Sequence, residues 1–122
     1  NKRDAFTLCM VHELAHQYFK DKRFMLCASE RWCHELLADY IAGIYSELKH
    51  LATGKYKYVV KQLQASLSHP AGEHRAAAVE YARECVQKHR WRSIDSAISG
   101  FPTFIYERQK IINKEFYNCM QI

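Results

Sequence analysis

The run His12-Glu13-Leu14-Ala15-His16 constrains this chain more than any other feature. Its two imidazoles can act together only if the backbone is helical. On an α-helix, residues four apart stand on one face, one turn above each other. Both rings then reach a single divalent cation at about 2.0–2.1 Å, the zinc–imidazole distance. Glu13 follows the first histidine and is placed to take a proton from a water on such an ion. The flanks agree with a helix. Ala5, Phe6, Leu8, Cys9, Met10, Val11, Leu14, Ala15, Tyr18 and Phe19 make a mostly apolar segment without Gly or Pro. Asp4 suits an N-cap or a first turn, and Lys20, Lys22 and Arg23 suit the C-terminal end. A helix over about 4–20 is predicted. Much of it should be buried, and burying His and Glu without a task is costly.

Two histidines do not complete a catalytic zinc site, which usually has three protein ligands and an open position. The run Glu35-Leu36-Leu37-Ala38-Asp39 supplies the third. Its two acids are four apart and project from one helical face. One carboxylate can bind the metal while the other accepts the free N–H of a ligand histidine and fixes its tautomer. Glu35 is assigned as the ligand and Asp39 as the support, with the reverse arrangement open. The small Ala38 between them suits a close helix–helix approach.

A third constellation is His69-Pro70-Ala71-Gly72-Glu73-His74-Arg75. His69 precedes a helix start and Arg75 falls in the first turns. Such a pair can donate hydrogen bonds to an oxyanion that develops when water attacks an amide. Glu73 suits the helix start or an ion pair with Arg75. The plain alternative is a Pro-started helix with polar first-turn residues.

The rest of the chain also reads as helical. Ser29 is an N-cap for a second helix through Trp32, Leu36, Leu37, Tyr40, Ile41, Ile44, Tyr45 and Leu48, with Gly54 ending the region after it. A third helix is expected over about 56–67, broken at His69-Pro70. A fourth runs from Pro70 or Ala71 to about Lys88. A weaker one fills 93–99, and a last one covers about 103–119 after the punctuation Gly100-Phe101-Pro102. No stretch alternates as a strand does. The expected fold is therefore all-α, five to six helices around the helix that carries His12 and His16. It is read as a single zincin-like domain over 1–122, or the helical part of a larger α+β domain whose strands precede Asn1.

Length and composition set the outer limits. At 122 residues the chain is long enough for a real core. No apolar run reaches the roughly 18 residues that crossing a bilayer needs. Five cysteines (Cys9, Cys27, Cys33, Cys85 and Cys119) at irregular spacing argue against a disulfide scaffold and for a reducing, cytoplasmic setting. The charge of +5 is spread along the chain. Lys55-Tyr56-Lys57-Tyr58 and His89-Arg90-Trp91-Arg92 interleave bases with aromatics, but no helix-turn-helix or zinc-finger signature accompanies them, so solvated surface is preferred over a nucleic-acid site.

HELAH, then ELLAD, then HPAGEHR, in this order, resembles the gluzincin-type zinc metallopeptidases. The resemblance is nearest to the neutral zinc metallopeptidases and to the CAAX-prenyl-protease and heat-shock membrane peptidase group. It implies Zn²⁺ on His12, His16 and Glu35, with Glu13 as general base and Asp39 behind a ligand. His69 and Arg75 would be groups on the substrate or oxyanion side. A protein or peptide would be the substrate. The gap from His16 to Glu35 is shorter than in those families and nearer to that of small intracellular regulators with the same first motif. The membrane spans of the prenyl-protease group are absent from this sequence. Alternatives are a metal-binding regulator or toxin component with little turnover, and a helical nucleic-acid-binding module.

Overall fold

The computed structural model describes residues 1–23 and 26–121. Six α-helices follow one another: α1 Lys2–Tyr18, α2 Glu30–Leu48, α3 Gly54–Lys61, α4 Gly72–His89, α5 Ile94–Ala97 and α6 Phe101–Met120. A 3₁₀ turn, Ile98–Gly100, joins the last two. Among the described residues there is no strand. The all-α expectation holds.

Local chemistry sets most of the starts. The Asn1 side chain accepts from the Asp4 amide at 2.8 Å, so α1 begins before Asp4, which falls in the first turn. Ser29 caps α2 through the Trp32 amide at 3.1 Å, and Ser93 caps α5 through the Ser96 amide at 3.1 Å. Pro102 sits in the first turn of α6, where its missing N–H costs nothing, so Gly100-Phe101-Pro102 starts a helix rather than separating two. Gly54 likewise opens α3 instead of closing the region before it. Arg90 takes the left-handed conformation (φ 55°) that ends α4.

The main departure is α3. Residues 62–67 favour helix by propensity, yet the helix stops at Lys61. Tertiary contacts override it. The Gly72 amide at the start of α4 donates to the Leu63 carbonyl at 2.9 Å. A Cβ on Gly72 would lie 1.8 Å from the Val60 carbonyl oxygen, so the end of α3 is pressed directly onto the start of α4. The chain then bends through Ser66 and His69, and the Trp32 indole N–H holds the bend by donating to the Ser66 carbonyl at 2.9 Å.

Helix α2 runs through the middle. It is apolar nearly all round, with Trp32, Leu36, Leu37, Tyr40 and Ile44 fully buried, as expected of a helix enclosed on all sides. Its closest neighbour is α4. At Gly43 an added Cβ would sit 2.3 Å from the Val79 carbonyl oxygen and 2.9 Å from the Ala82 Cβ. Only glycine permits that approach. One core cluster gathers α2, α4 and α6 around Leu36, Ala82, Phe101, Phe104 and Ile112. Each large apolar side chain there contributes about 1.5–3 kcal/mol over leaving it exposed. A second, smaller cluster joins Leu8 of α1, Tyr56 and Val60 of α3, and Ala76 and Val79 of α4. Thus α1 and α3 are laid against the α2–α4 pair from one side, which brings the motif-bearing segments together. All five cysteines are free thiols. Among the described residues no helix is long and apolar enough to cross a membrane.

Candidate metal centre

Helix α1 presents His12 and His16 on the face turned to α2, and α2 presents Glu35 and Asp39 back toward them. The Nε2 atoms of His12 and His16 are 3.1 Å apart. Glu35 Oε1 lies 2.5 Å from the first and 3.5 Å from the second. A tetrahedral ion with bonds of about 2.0–2.1 Å needs ligand atoms about 3.3–3.4 Å from each other. Two of the three separations bracket that value, and the third has the length of a direct hydrogen bond. Among the described residues this is the one group of three such side chains whose ligand atoms converge, and it can hold a metal ion.

The protonation pattern points the same way. His12 Nδ1 faces Asp39 Oδ1 at 2.9 Å and donates its hydrogen there. In the neutral ring, Nε2 then carries only a lone pair. That lone pair meets a carboxylate oxygen and a second imidazole nitrogen, so three electron-rich atoms converge. Only a cation between them, a proton or a metal, makes that arrangement favourable. Burial by itself would depress the His12 imidazolium, but the carboxylates of Asp39 and Glu35 outweigh it and raise the group to about 9. Burial would likewise push Glu35 up. Hydrogen bonds from His12 and His16, with the positive charges of His12 and Arg75, override it and hold the carboxyl well below the usual carboxylate range.

Asp39 is the anchor of the support behind the ligands. It is completely buried. Besides His12 it accepts from the Tyr56 hydroxyl at 2.7 Å and from Arg75 through Nε at 2.7 Å and Nη2 at 3.3 Å. The Asp39 carboxylate, by accepting from Nδ1, fixes the His12 tautomer so that Nε2 points inward. Asp39 does not reach the converging atoms, so in this arrangement Glu35 is the ligand-forming acid. Tyr56 also lies 3.2 Å from His12 Nδ1. Burial first and the Asp39 charge second push its phenol above its ordinary range.

The remaining sequence candidates are placed as follows. Arg75 is buried and committed to Asp39, with Nη2 a further 3.5 Å from Glu35 Oε1. Burial opposes its charge, and Asp39 more than compensates and raises it. His69 stands at the rim, half-exposed, with Nε2 3.4 Å from Glu35 Oε2. Glu73 is exposed in the first turn of α4 and makes no ion pair with Arg75. His74 is buried and bridges to Glu115 of α6 at 2.8 Å. Glu13 is exposed. It lies four residues before Gln17, on the same face of α1, and Gln17 lines the cleft that opens over His16, Glu35 and His69.

Tyr56 is the residue that sequence reasoning missed. It stands in Lys55-Tyr56-Lys57-Tyr58, read there as surface. In the fold Tyr56 turns inward to Asp39, while Tyr58 is exposed and Lys57 pairs with Glu80 at 3.1 Å. The helical spacing of Tyr56 and Val60, both buried, was the available signal.

Comparison of the chain with protein-family models, with curated proteins and with solved structures finds no match in any of the three.

Proposed function

We propose that this chain is a zinc-dependent peptidase. The observation that carries the reading is the convergence of His12 Nε2, His16 Nε2 and Glu35 Oε1 at the base of an open cleft. Two imidazoles and one carboxylate, with an open side, are the donor set of hydrolytic zinc sites. A zinc ion held there would polarise a scissile carbonyl and bring a water to about neutral pKa.

The chain's own groups supply the remainder. Glu13 is exposed and directly follows the ligand candidate His12 on α1, and its carboxylate would accept the proton of the attacking water and return it to the leaving amine. His69, at the rim, has a ring N–H within reach of the space above Glu35 and can donate to the oxygen on which charge develops. Arg75 acts through Asp39. It is a positioning residue that holds the carboxylate behind His12, not a group that meets substrate. Tyr56 does the same from the other side.

The test is Glu13→Gln. The variant is expected to keep the metal and the fold and to lose peptide hydrolysis by at least about a hundredfold, the usual scale for removing a general base. A variant that cleaves a peptide library as fast as the parent removes Glu13 from the mechanism.

A further inference from the structure

The cleft above the converging ligands has an unusual lining. It encloses about 690 Å³, and among the described residues none that line it has an aliphatic side chain. Ligand clefts are ordinarily lined mainly by apolar groups. Among the described residues, an apolar substrate side chain therefore finds no aliphatic partner here. Nor is there a strand edge beside the cleft, among the described residues, to hold an extended peptide by main-chain hydrogen bonds. What the cleft offers is charge. Lys20, just past the end of α1, Arg23 in the link, and Arg31 in the first turn of α2 all line it. Arg23 is answered by Glu30 at 3.0 Å. Lys20 and Arg31 are exposed and make no ion pair or hydrogen bond among the described residues. The only other acid on the lining is Glu35, which is turned to His12 and His16. Two cations, one just past α1 and one in α2, thus face one opening with no carboxylate among the described lining residues left to neutralise them.

We infer that the cleft selects acidic peptides, with Lys20 and Arg31 engaging Asp or Glu side chains that flank the bond held over the ligand cluster. The inference rests on the hydrolytic reading for what happens to the bound peptide, but the recognition is set by two residues outside the ligand set. Because both cations are exposed, the attraction is screened by salt.

The test separates binding from turnover. Fluorescent peptides are made in two matched versions, with Asp/Glu or with Asn/Gln flanking one amide. Anisotropy titrations use the metal-free parent and the zinc-loaded Glu13→Gln protein. The acidic version is expected to bind about tenfold tighter in low salt, as two exposed ion pairs allow, and to lose most of that advantage at about 0.5 M salt. Lys20→Gln/Arg31→Gln should abolish the preference and Lys20→Glu/Arg31→Glu should reverse it, with helical circular dichroism unchanged in both. Equal affinity for the two peptides, or a preference that survives the charge reversal, overturns the inference. The parent is then assayed for cleavage of both peptides. Equal cleavage rates overturn acid selection and leave the hydrolytic reading standing. Acid-selective binding with neither peptide cleaved supports acid selection and counts against the hydrolytic reading instead.

Discussion

Arg75→Met tests whether the buried polar network behind His12 works as a unit. Asp39 is fully buried and accepts from His12, Tyr56 and Arg75. Arg75 supplies two of those bonds, at 2.7 and 3.3 Å, and, among the described residues, the one permanent positive charge paired with both Asp39 and Glu35. Methionine retains much of the volume but neither the charge nor the donors. The substitution leaves the two buried carboxylates without the guanidinium that pairs with both of them. Removing one partner of a buried ion pair costs about 3–5 kcal/mol, because the other charge stays behind without its counter-ion. Against a total stability of about 5–15 kcal/mol, that is a large loss. Urea unfolding of the metal-free parent and variant measures it directly. The pair Asp39→Asn/Arg75→Met should regain much of the loss of Arg75→Met alone, because the orphaned charge is removed with its partner. Metal affinity should also fall about 10- to 100-fold in Arg75→Met, as His12 loses its fixed support. A loss below about 1 kcal/mol, with no coupling in the double variant, would refute the network as described.

Three further outcomes follow from the same structure. Tyr56→Phe should cost about 1 kcal/mol in urea unfolding and weaken metal binding while leaving helix content alone; an unchanged metal affinity would mean Tyr56 does not position Asp39. Gly43→Ala should lower stability by about 1–3 kcal/mol, read as a drop in Tm, because its methyl group meets the Val79 carbonyl at 2.3 Å; a variant as stable as the parent would show that α2 and α4 are farther apart. In the metal-free protein His12 is raised to about 9 from its ordinary 6.5, so the folded state holds the proton more tightly than the unfolded one. That contribution, about 3 kcal/mol, is fully present below about pH 6.5 and lost as pH rises through about 9. Urea midpoints at pH 6 and pH 10 should differ accordingly, and the difference should vanish in His12→Asn.

How far the sequence alone reached differs from residue to residue. His12, His16, Glu35 and Asp39 were readable because helical periodicity turns a four-residue spacing into a shared face, whatever the rest of the fold does. Bringing the two faces together needed only the short link and small Ala15 and Ala38, both buried where α1 meets α2. Arg75 was recognised as a site residue, but its direction was not readable. Whether a guanidinium turns to substrate or to Asp39 depends on how α4 is rotated against α2, and that fit turns on the close approach of Gly43 to Val79. The end of α3 was missed for the same reason: propensity is local, while the Leu63 carbonyl is claimed by the Gly72 amide at the start of α4. Tyr56 was hidden because alternation of bases and aromatics looks alike on a free surface and on a helix with one buried edge.

Metal content of the purified chain, with the coordination read by X-ray absorption, bears most directly on the convergence of His12, His16 and Glu35. One zinc per chain is expected, with two imidazole nitrogens and one carboxylate oxygen at about 2.0–2.2 Å, and with His12→Ala and Glu35→Gln each losing it. A parent chain that takes up no zinc on dialysis against the ion, or that holds it equally well after both substitutions, would contradict the site.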